Sequence, residues 1–413
     1  MKSLLLIALV VMLFACTQTE TKIYQWRGVD RTGIYSEEGL LKEWPEEGPG
    51  EIWSTEILGN GYGSPVITDD KLYISGTEDS TAVLFCFDLQ GELLWKSGYG
   101  KEWMVNFPGS RSAPTVVEDM IYVGSGLGNL YCMDLQGNVV WLKQFEDDFN
   151  GQITRFGIAE AALVDGDKVF WCPGGEENNV VALNRFTGEL IWSCKGAGER
   201  PGYSSPLLID LPERKVIVTF TAYNLLGIDA ETGELLWKHE QDNTPLEERG
   251  PGYGDTHCNT VFFDGGAIYY AAGDGNCGVK LELAKDGASI NEIWRNKGFD
   301  SYMGGIVKIG DYVYGCGTRK KDLKSINAAT GEMADSLKIG SGSIIVADNM
   351  IYYYNQKGEV NLVDFSKAEM TVVSSFKITK GAQEHFSHPV IDKGVLYVRH
   401  GNVLMAYDIK GKV

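Results

Sequence analysis

Asp88, Leu89, Gln90, Gly91, Glu92, Leu93, Leu94 and Trp95 form a phrase that returns along most of this chain. A short acidic residue can accept backbone N–H groups in a turn, glycine supplies the left-handed conformation, and the apolar pair ending in Trp opens a strand. The phrase returns at Asp134, Gly137, Asn138 and Trp141. With one more turn residue it appears at Asn184, Gly188, Glu189 and Trp192, and again at Asp229, Gly233, Glu234 and Trp237. Weaker copies stand at Asn327, Gly331 and Glu332, at Asp364, and at Asp408 with Gly411; a degenerate one lies between Leu281 and Trp294.

A second phrase precedes each copy: a small residue, an apolar stretch, an acidic or glycine turn, and an apolar pair ending in an aromatic. Ser64 to Tyr73, Ala113 to Tyr122, Glu160 to Phe170, Asn259 to Tyr269, Ser343 to Tyr352 and His388 to Tyr397 are examples. Each reads as a tight hairpin, and no helical periodicity of any length is visible. Units of about 45 residues carrying four short strands each are propeller blades. Eight of them fit between Glu51 and Val413. The predicted fold is therefore all-β, a single eight-bladed β-propeller of four-stranded blades. The last unit lacks its Trp-bearing strand, and Glu51 to Ile57, with Trp53 at the matching place, is expected to complete it and close the ring. Pairing the N- and C-terminal strands in this way removes two exposed sheet edges. The expected organisation is a signal peptide over 1–15, a lipidated linker and extension over 16–50, and the propeller over 51–413. Residues Tyr24 to Pro49 are expected to lie on the outside.

Lys2 followed by the apolar run Leu4 to Phe14 reads as an export signal, too short to span a bilayer. Leu13, Phe14, Ala15 and Cys16 resemble the lipobox of bacterial lipoproteins. That resemblance implies cleavage before Cys16, acylation of its thiol, and attachment to a membrane through lipid. Thr17 lacks the aspartate that signals inner-membrane retention in some bacteria, which points to the outer membrane. With 37 basic and 56 acidic residues the net charge is −19, and no basic stripe is present, so nucleic acid is excluded as a partner. Beyond Cys16 the cysteines are odd in number and cannot all pair within one chain; Cys86, Cys132, Cys172 and Cys316 sit in strand-like runs as small buried thiols. No C-x-x-C metal spacing occurs.

The repeated phrase resembles the pyrroloquinoline-quinone-like (PQQ-like) propeller repeats. Trp26, Arg27, Gly28, Asp30, Arg31 and Gly33, with Gly39 to Pro45, resemble the preamble of such exported proteins. Two branches of that family imply different roles. One holds quinoprotein dehydrogenases, whose cofactor lies over a tryptophan beside calcium or a similar metal and an acidic base. The other holds an outer-membrane assembly lipoprotein, a scaffold without chemistry. The chain lacks the adjacent cysteine pair of many such dehydrogenases and their long insertions.

Aligned hairpins place Ser64, Ala113, Glu160, Ser205, Asn259, Gly305, Ser343 and His388 in one ring around the axis. Side chains alternate along a strand, so Tyr62, Arg111, Ile158, Tyr203, His257, Met303, Ser341 and Phe386 form a ring nearer the mouth. Arg111 there suits an anion, and Glu160 and His257 suit proton exchange. Asp255, His257 and Asn259 share a face. Trp103, out of register with the repeating tryptophans, is expected to overhang the mouth as a stacking platform, whereas Trp95, Trp141, Trp192, Trp237 and Trp294 are packing residues. The loop groups Glu176, Glu177, Asn178, Asp274 and Asn276 have the oxygens calcium takes, but Gly273 to Asn276 is also ordinary turn chemistry. The preferred function is a binding or scaffolding lipoprotein of the cell envelope with a protein partner, no metal and no catalytic residue. The alternatives are a PQQ-dependent dehydrogenase using PQQ and calcium, and a carbohydrate-binding propeller holding a glycan or other small molecule in the funnel.

Overall fold

The computed structural model describes residues 21–241, 257–272, 277–301, 303–366 and 369–411. Cys16, Asp255, Asp274 and Asn276 lie outside the described residues. The chain forms eight sheets arranged as propeller blades. Blade 1 comprises Val66–Ile67, Lys71–Glu78, Thr81–Asp88 and Leu93–Lys101, and blades 2 to 7 repeat the same antiparallel meander. Three strands precede blade 1: β1 (Ile23–Tyr24), β2 (Ile34–Tyr35) and β3 (Gly50–Thr55). β3 pairs antiparallel with Val403–Asp408, Gly50 opposite Asp408 and Trp53 opposite Ala406, and so completes blade 8. Ring closure by the two chain ends is the predicted one. The single α-helix among the described residues, Phe145–Phe149, links blades 2 and 3, and no described helix is long and apolar enough to cross a membrane.

The repeated phrase turns out to be both a turn and a dock. In blade 1 the Asp88 carboxylate accepts the N–H groups of Gln90 and Glu92, each at 2.9 Å, while Gly91 holds φ at 88°. Asp134 does the same for Gln136 and Asn138 in blade 2. Five turns of this kind accept the indole N–H of the preceding blade. Trp53 Nε1 donates to Leu89 O at 3.1 Å, Trp141 to Arg185 O at 2.9 Å, Trp192 to Ala230 O at 3.2 Å, Trp237 to Gly287 O at 3.1 Å and Trp294 to Ala328 O at 3.1 Å. The glycine lies under the same ring: a Cβ on Gly188 would come within 2.9 Å of Trp141, and one on Gly91 within 2.5 Å of Trp53. Glycine is thus required twice at these places, for its positive φ and for the closeness of the indole.

Apolar layers fill the space between neighbouring blades. Val117, Tyr122, Cys132 and Trp141 of blade 2, for example, pack on Val164, Trp171 and Leu183 of blade 3. The strand cysteines belong to these layers. Burial pushes the Cys86 thiol up to about 11 and the Cys132 thiol to about 12, so both stay protonated.

The leading segment departs from expectation. Only its later part lies outside, where Trp44 packs edge-on against Tyr352 and Phe376 and donates its indole N–H to Val360 O at 3.2 Å. The earlier part crosses the propeller axis as a strap. β1 pairs antiparallel with the inner strand of blade 2, Ile23 opposite Val117. β2 pairs parallel with the inner strand of blade 7, Ile34 opposite Val346. Between them, Arg27 donates to Ile306 O at 2.7 Å and Ile344 O at 3.1 Å, in blades 6 and 7. Arg31 donates to Ala161 O at 3.1 Å, to Pro206 O at 3.0 Å and to Ala162 O, where blades 3 and 4 begin. The physical reason is unmet acceptors. Inner strands converging on an axis leave carbonyls without a neighbouring strand, and a guanidinium has five N–H groups to share among them.

Replacing Trp141 with Ala removes one blade dock and is expected to cost about 3 kcal/mol. Urea denaturation followed by tryptophan fluorescence and circular dichroism measures this, and a loss below about 0.5 kcal/mol would contradict the docking role.

Candidate functional site: a blind axial funnel

Seven blades of the ring deliver one short segment each to the axis, and in most the residue nearest the mouth lies four positions before the inner strand. That position is Tyr62 in blade 1, Arg111 in blade 2, Ala159 in blade 3, Tyr203 in blade 4, Cys258 in blade 5 and Phe386 in blade 8, with Met303 serving blade 6. Two residues further in stand Ser64, Ala113, Ala161, Ser205 and His388. Together they enclose a cavity of about 370 Å3.

The strap closes its inner end. Trp26 is part of the cavity wall and meets the His388 ring edge-on, centroids 5.1 Å apart. His388 Nδ1 lies 3.1 Å from Arg27 Nη1. Burial, reinforced by the Arg27 charge, holds the His388 pKa well below its ordinary value, so the imidazole is neutral and its Nδ1 accepts from Arg27. Arg27 and Arg31 are themselves lowered by burial to about 10, which leaves them charged at neutral pH.

Five aromatic side chains form a continuous arc, or partial collar, along the outer end. Centroid separations are 5.6 Å for Tyr62 and Phe386, 5.7 Å for Phe386 and Phe107, 6.0 Å for Phe107 and Phe156, and 5.9 Å for Phe156 and Tyr203. All four interplanar angles lie between 42° and 59°, the tilted geometry favoured by ring quadrupoles. Arg111 bolts this collar together by donating to the carbonyls of Phe107 and Phe156. Arg155 lies over the Phe156 ring at 5.1 Å and faces the cavity. Tyr62 donates its hydroxyl to Glu384 at 2.8 Å.

Of the residues singled out from sequence, Tyr62, Arg111, Tyr203, Phe386 and His388 come together on the cavity; Trp103, Glu160, His257 and Asn259 do not. In blades 3 and 5 the hairpin alignment is one residue out, and a one-residue slip along an extended strand turns the side chain to the other face. Ala159, Ala161 and Cys258 take the inward positions. Glu160 points between blades, where its Oε2 accepts Cys172 N–H at 3.2 Å and its Oε1 is buried without a partner among the described residues. Asn259 ties blades 5 and 6, donating to Ala271 O and Ser301 O and accepting Gly305 N–H at 2.8 Å. His257 is buried against Phe220 with its Nε2 3.1 Å from Ala222 O and beside Gln241.

Trp103 is buried rather than overhanging. Its indole N–H donates to the Asn106 carbonyl at 2.9 Å, and its backbone N–H goes to the buried Glu102 carboxylate at 2.7 Å. It braces the loop whose tip, Phe107, occupies the mouth with a φ of 45°, rare for an aromatic residue. Phe107, Phe156, Arg155 and Trp26 were missed in the sequence because they lie in connections rather than strands. The glycine that follows each phenylalanine closely, Gly109 and Gly157, is the one local signal of a tight loop.

These features define a PQQ-like-repeat propeller with a one-ended axial funnel. The chain belongs to the family described as outer membrane protein assembly factor BamB, whose profile matches residues 80–336. BamB from Moraxella catarrhalis superposes with a TM-score of 0.61 at 14% identity, over 88% of this chain and 98% of that one. Quinohemoprotein alcohol dehydrogenase from Comamonas testosteroni gives 0.53 at 14% identity, over 93% of this chain and 80% of that one. At these identities the likeness is one of fold. Quinoprotein alcohol dehydrogenase PedH from Pseudomonas putida is 28% identical over 159 residues, 36% of this chain and 22% of that enzyme. The match thus spans about a fifth of PedH.

Glu160 makes the structure testable through pH. Burial raises its carboxyl from 4.5 to about 8, with hydrogen bonding to Cys172 and then the charge of nearby Arg31 only partly opposing. Between those values the unfolded chain gives up the proton and the folded chain keeps it, so stability falls as pH rises through that window and levels off above it. Glu160→Gln, which cannot ionise, is expected to match the parent near pH 4 and to exceed it by roughly 2 to 4 kcal/mol at pH 9. Denaturant midpoints at the two pH values measure the difference; parallel profiles would show that Glu160 is not held protonated.

Proposed function

We propose that this chain is a non-enzymatic binding and scaffolding module of the bacterial cell envelope, exported and held at a membrane by lipid on Cys16. The observation that carries the reading is membership of the BamB family over most of the propeller, joined to a closed ring whose axis is occupied by its own strap. A propeller of this kind offers a perimeter and a mouth for a partner, with loops positioned by the strands of a closed ring. Outer-membrane assembly, the role printed for the family, supplies the class of partner: another protein of the envelope. The lipobox residues and Thr17 support attachment at the outer membrane.

The dehydrogenase reading has the PedH match behind it but not the site. Calcium takes carboxylate, amide and carbonyl oxygens. Among the described residues no Asp, Glu, Asn or Gln side chain lines the cavity, no group of three His, Cys, Asp or Glu stands ready for a metal, and Glu160, the acid nearest the axis in sequence, faces away. The described residues bring no such set of oxygens to the cavity for a calcium-held quinone. A glycan needs amide and carboxylate groups for its hydroxyls, and the described cavity walls carry none.

The test is affinity capture of the tagged, full-length protein from detergent-solubilised envelopes, beside a Cys16→Ser variant. A stable envelope protein should co-purify at near-stoichiometric yield, and Cys16→Ser should move the protein from the membrane to the soluble fraction. Recovery of the protein alone, or quinone-dependent dye reduction with alcohols after incubation with PQQ and calcium, would overturn the proposal.

A further inference from the structure

Inner strands run from the mouth to the face closed by the strap, because the mouth residues lie just before them in sequence. Each blade is an antiparallel meander, so every outer strand begins at that floor face. In blade 1 this puts Leu93 and Leu94 on the floor-side rim, in blade 2 Val139 and Val140, and in blade 3 Leu190 and Ile191. These residues are each between 41% and 51% exposed. Among the described residues no other blade repeats the arrangement. Leu235 and Leu236 of blade 4 are half-buried, as is Val372 of blade 7, and blades 5, 6 and 8 put Glu292, Ala334 and Glu51 in the pair. Three consecutive blades therefore present apolar pairs to solvent at one edge, the mark of an interaction surface.

The chain enters the propeller in the same sector. Thr21 Oγ1 donates to Glu118 of blade 2 at 3.5 Å, and Lys22 Nζ pairs with Asp69 of blade 1 at 2.7 Å, both on inner hairpins at the floor. We propose that the floor-side rim of blades 1 to 3 rests on a lipid bilayer and that the mouth is turned away from it; the inference rests on the lipid on Cys16 proposed above. Reach decides the orientation. Positions 16 and 21 are five steps apart, a span of at most about 18 Å when extended. From an inner strand to the outer strand of the same blade is three strand spacings, about 14 Å, so the rim lies within reach. The mouth does not. An eight-residue strand such as Lys71–Glu78 puts it about 27 Å from the floor, and the strap blocks the axis. Charge selects the lipid: Asp69, Asp70, Glu118 and Asp119 border the chain's entry, so a strongly anionic surface is repelled and a zwitterionic one, met by apolar side chains, is the partner that fits.

The test uses the full-length acylated protein on phosphatidylcholine vesicles carrying a headgroup nitroxide. A nitrobenzoxadiazole label is placed on Leu94→Cys or, as the mouth-side control in the same blade, on Ser80→Cys. Labelling of the parent chain measures the background from Cys258, the half-buried native thiol among the described residues. The nitroxide should quench the label at position 94 at least about twofold more than the label at position 80. Val140→Glu combined with Ile191→Glu, both at exposed positions, should leave the protein on the vesicles and bring the two quenching values together, with circular dichroism unchanged. Equal quenching without the double substitution, stronger quenching at position 80, or no effect of the double substitution would each overturn the proposal. Vesicles that float without the protein would overturn it together with the lipid-anchored reading, whereas a floating protein with the wrong order of quenching would remove the orientation alone.

Discussion

Everything in this molecule rests on one contact made again and again around the ring: an indole from the last strand of one blade lying on the glycine turn of the next and donating its N–H to a carbonyl there. An isolated four-stranded blade leaves both faces apolar and its outer turn carbonyls unmet. Trp141 on Gly188 and Arg185 O answers both needs at one place. The same contact at Trp53 and Leu89 joins the last blade to the first, so closure uses no interaction that the interior of the ring does not also use.

The centre of the ring needs a second solution. Apart from those of blades 2 and 7, which β1 and β2 extend, inner strands have no partner on their axial side, and the carbonyls of Ala161, Pro206, Ile306 and Ile344 would otherwise face an open bore. Two buried arginines on one crossing segment reach them from either side of the axis. Burying a guanidinium is costly, and the several hydrogen bonds each makes offset that cost. The functional result is asymmetry: one end of the bore becomes a floor carrying Trp26, and the other remains a mouth. A site with one entrance and a collar of touching rings follows from that choice rather than from the repeat itself.

The fold was legible because its signal is redundant. Asp88, Asp134, Asn184 and Asp229 announce the same turn, and a missing final strand at the C-terminus answered by a spare one at Trp53 announces closure. The funnel was half legible. Tyr62, Arg111, Tyr203, Phe386 and His388 follow from counting back from inner strands, but Glu160 and Asn259 show how a one-residue error exchanges an axial position for an interblade one. Ala159, Ala161 and Cys258, the true inward residues there, carry no polar mark by which sequence could prefer them. Trp103 looked exceptional because it broke the repeat, yet it is a brace, and the residue it supports, Phe107, is the one at the mouth.

What sequence alone determined, then, is whatever is written in local periodicity: strands, turns, the number of blades and the pairing of the ends, since each depends on residues within one repeat or on copies of it. Tertiary structure decided which side chains meet at the axis and that the bore is closed from within. Those outcomes depend on Arg27 meeting Ile306 and Ile344, and Arg31 meeting Ala161 and Pro206, across separations of more than a hundred residues. Backbone carbonyls are the acceptors in these contacts, and a carbonyl is the same at every position, so nothing in the amino-acid code marks it in advance.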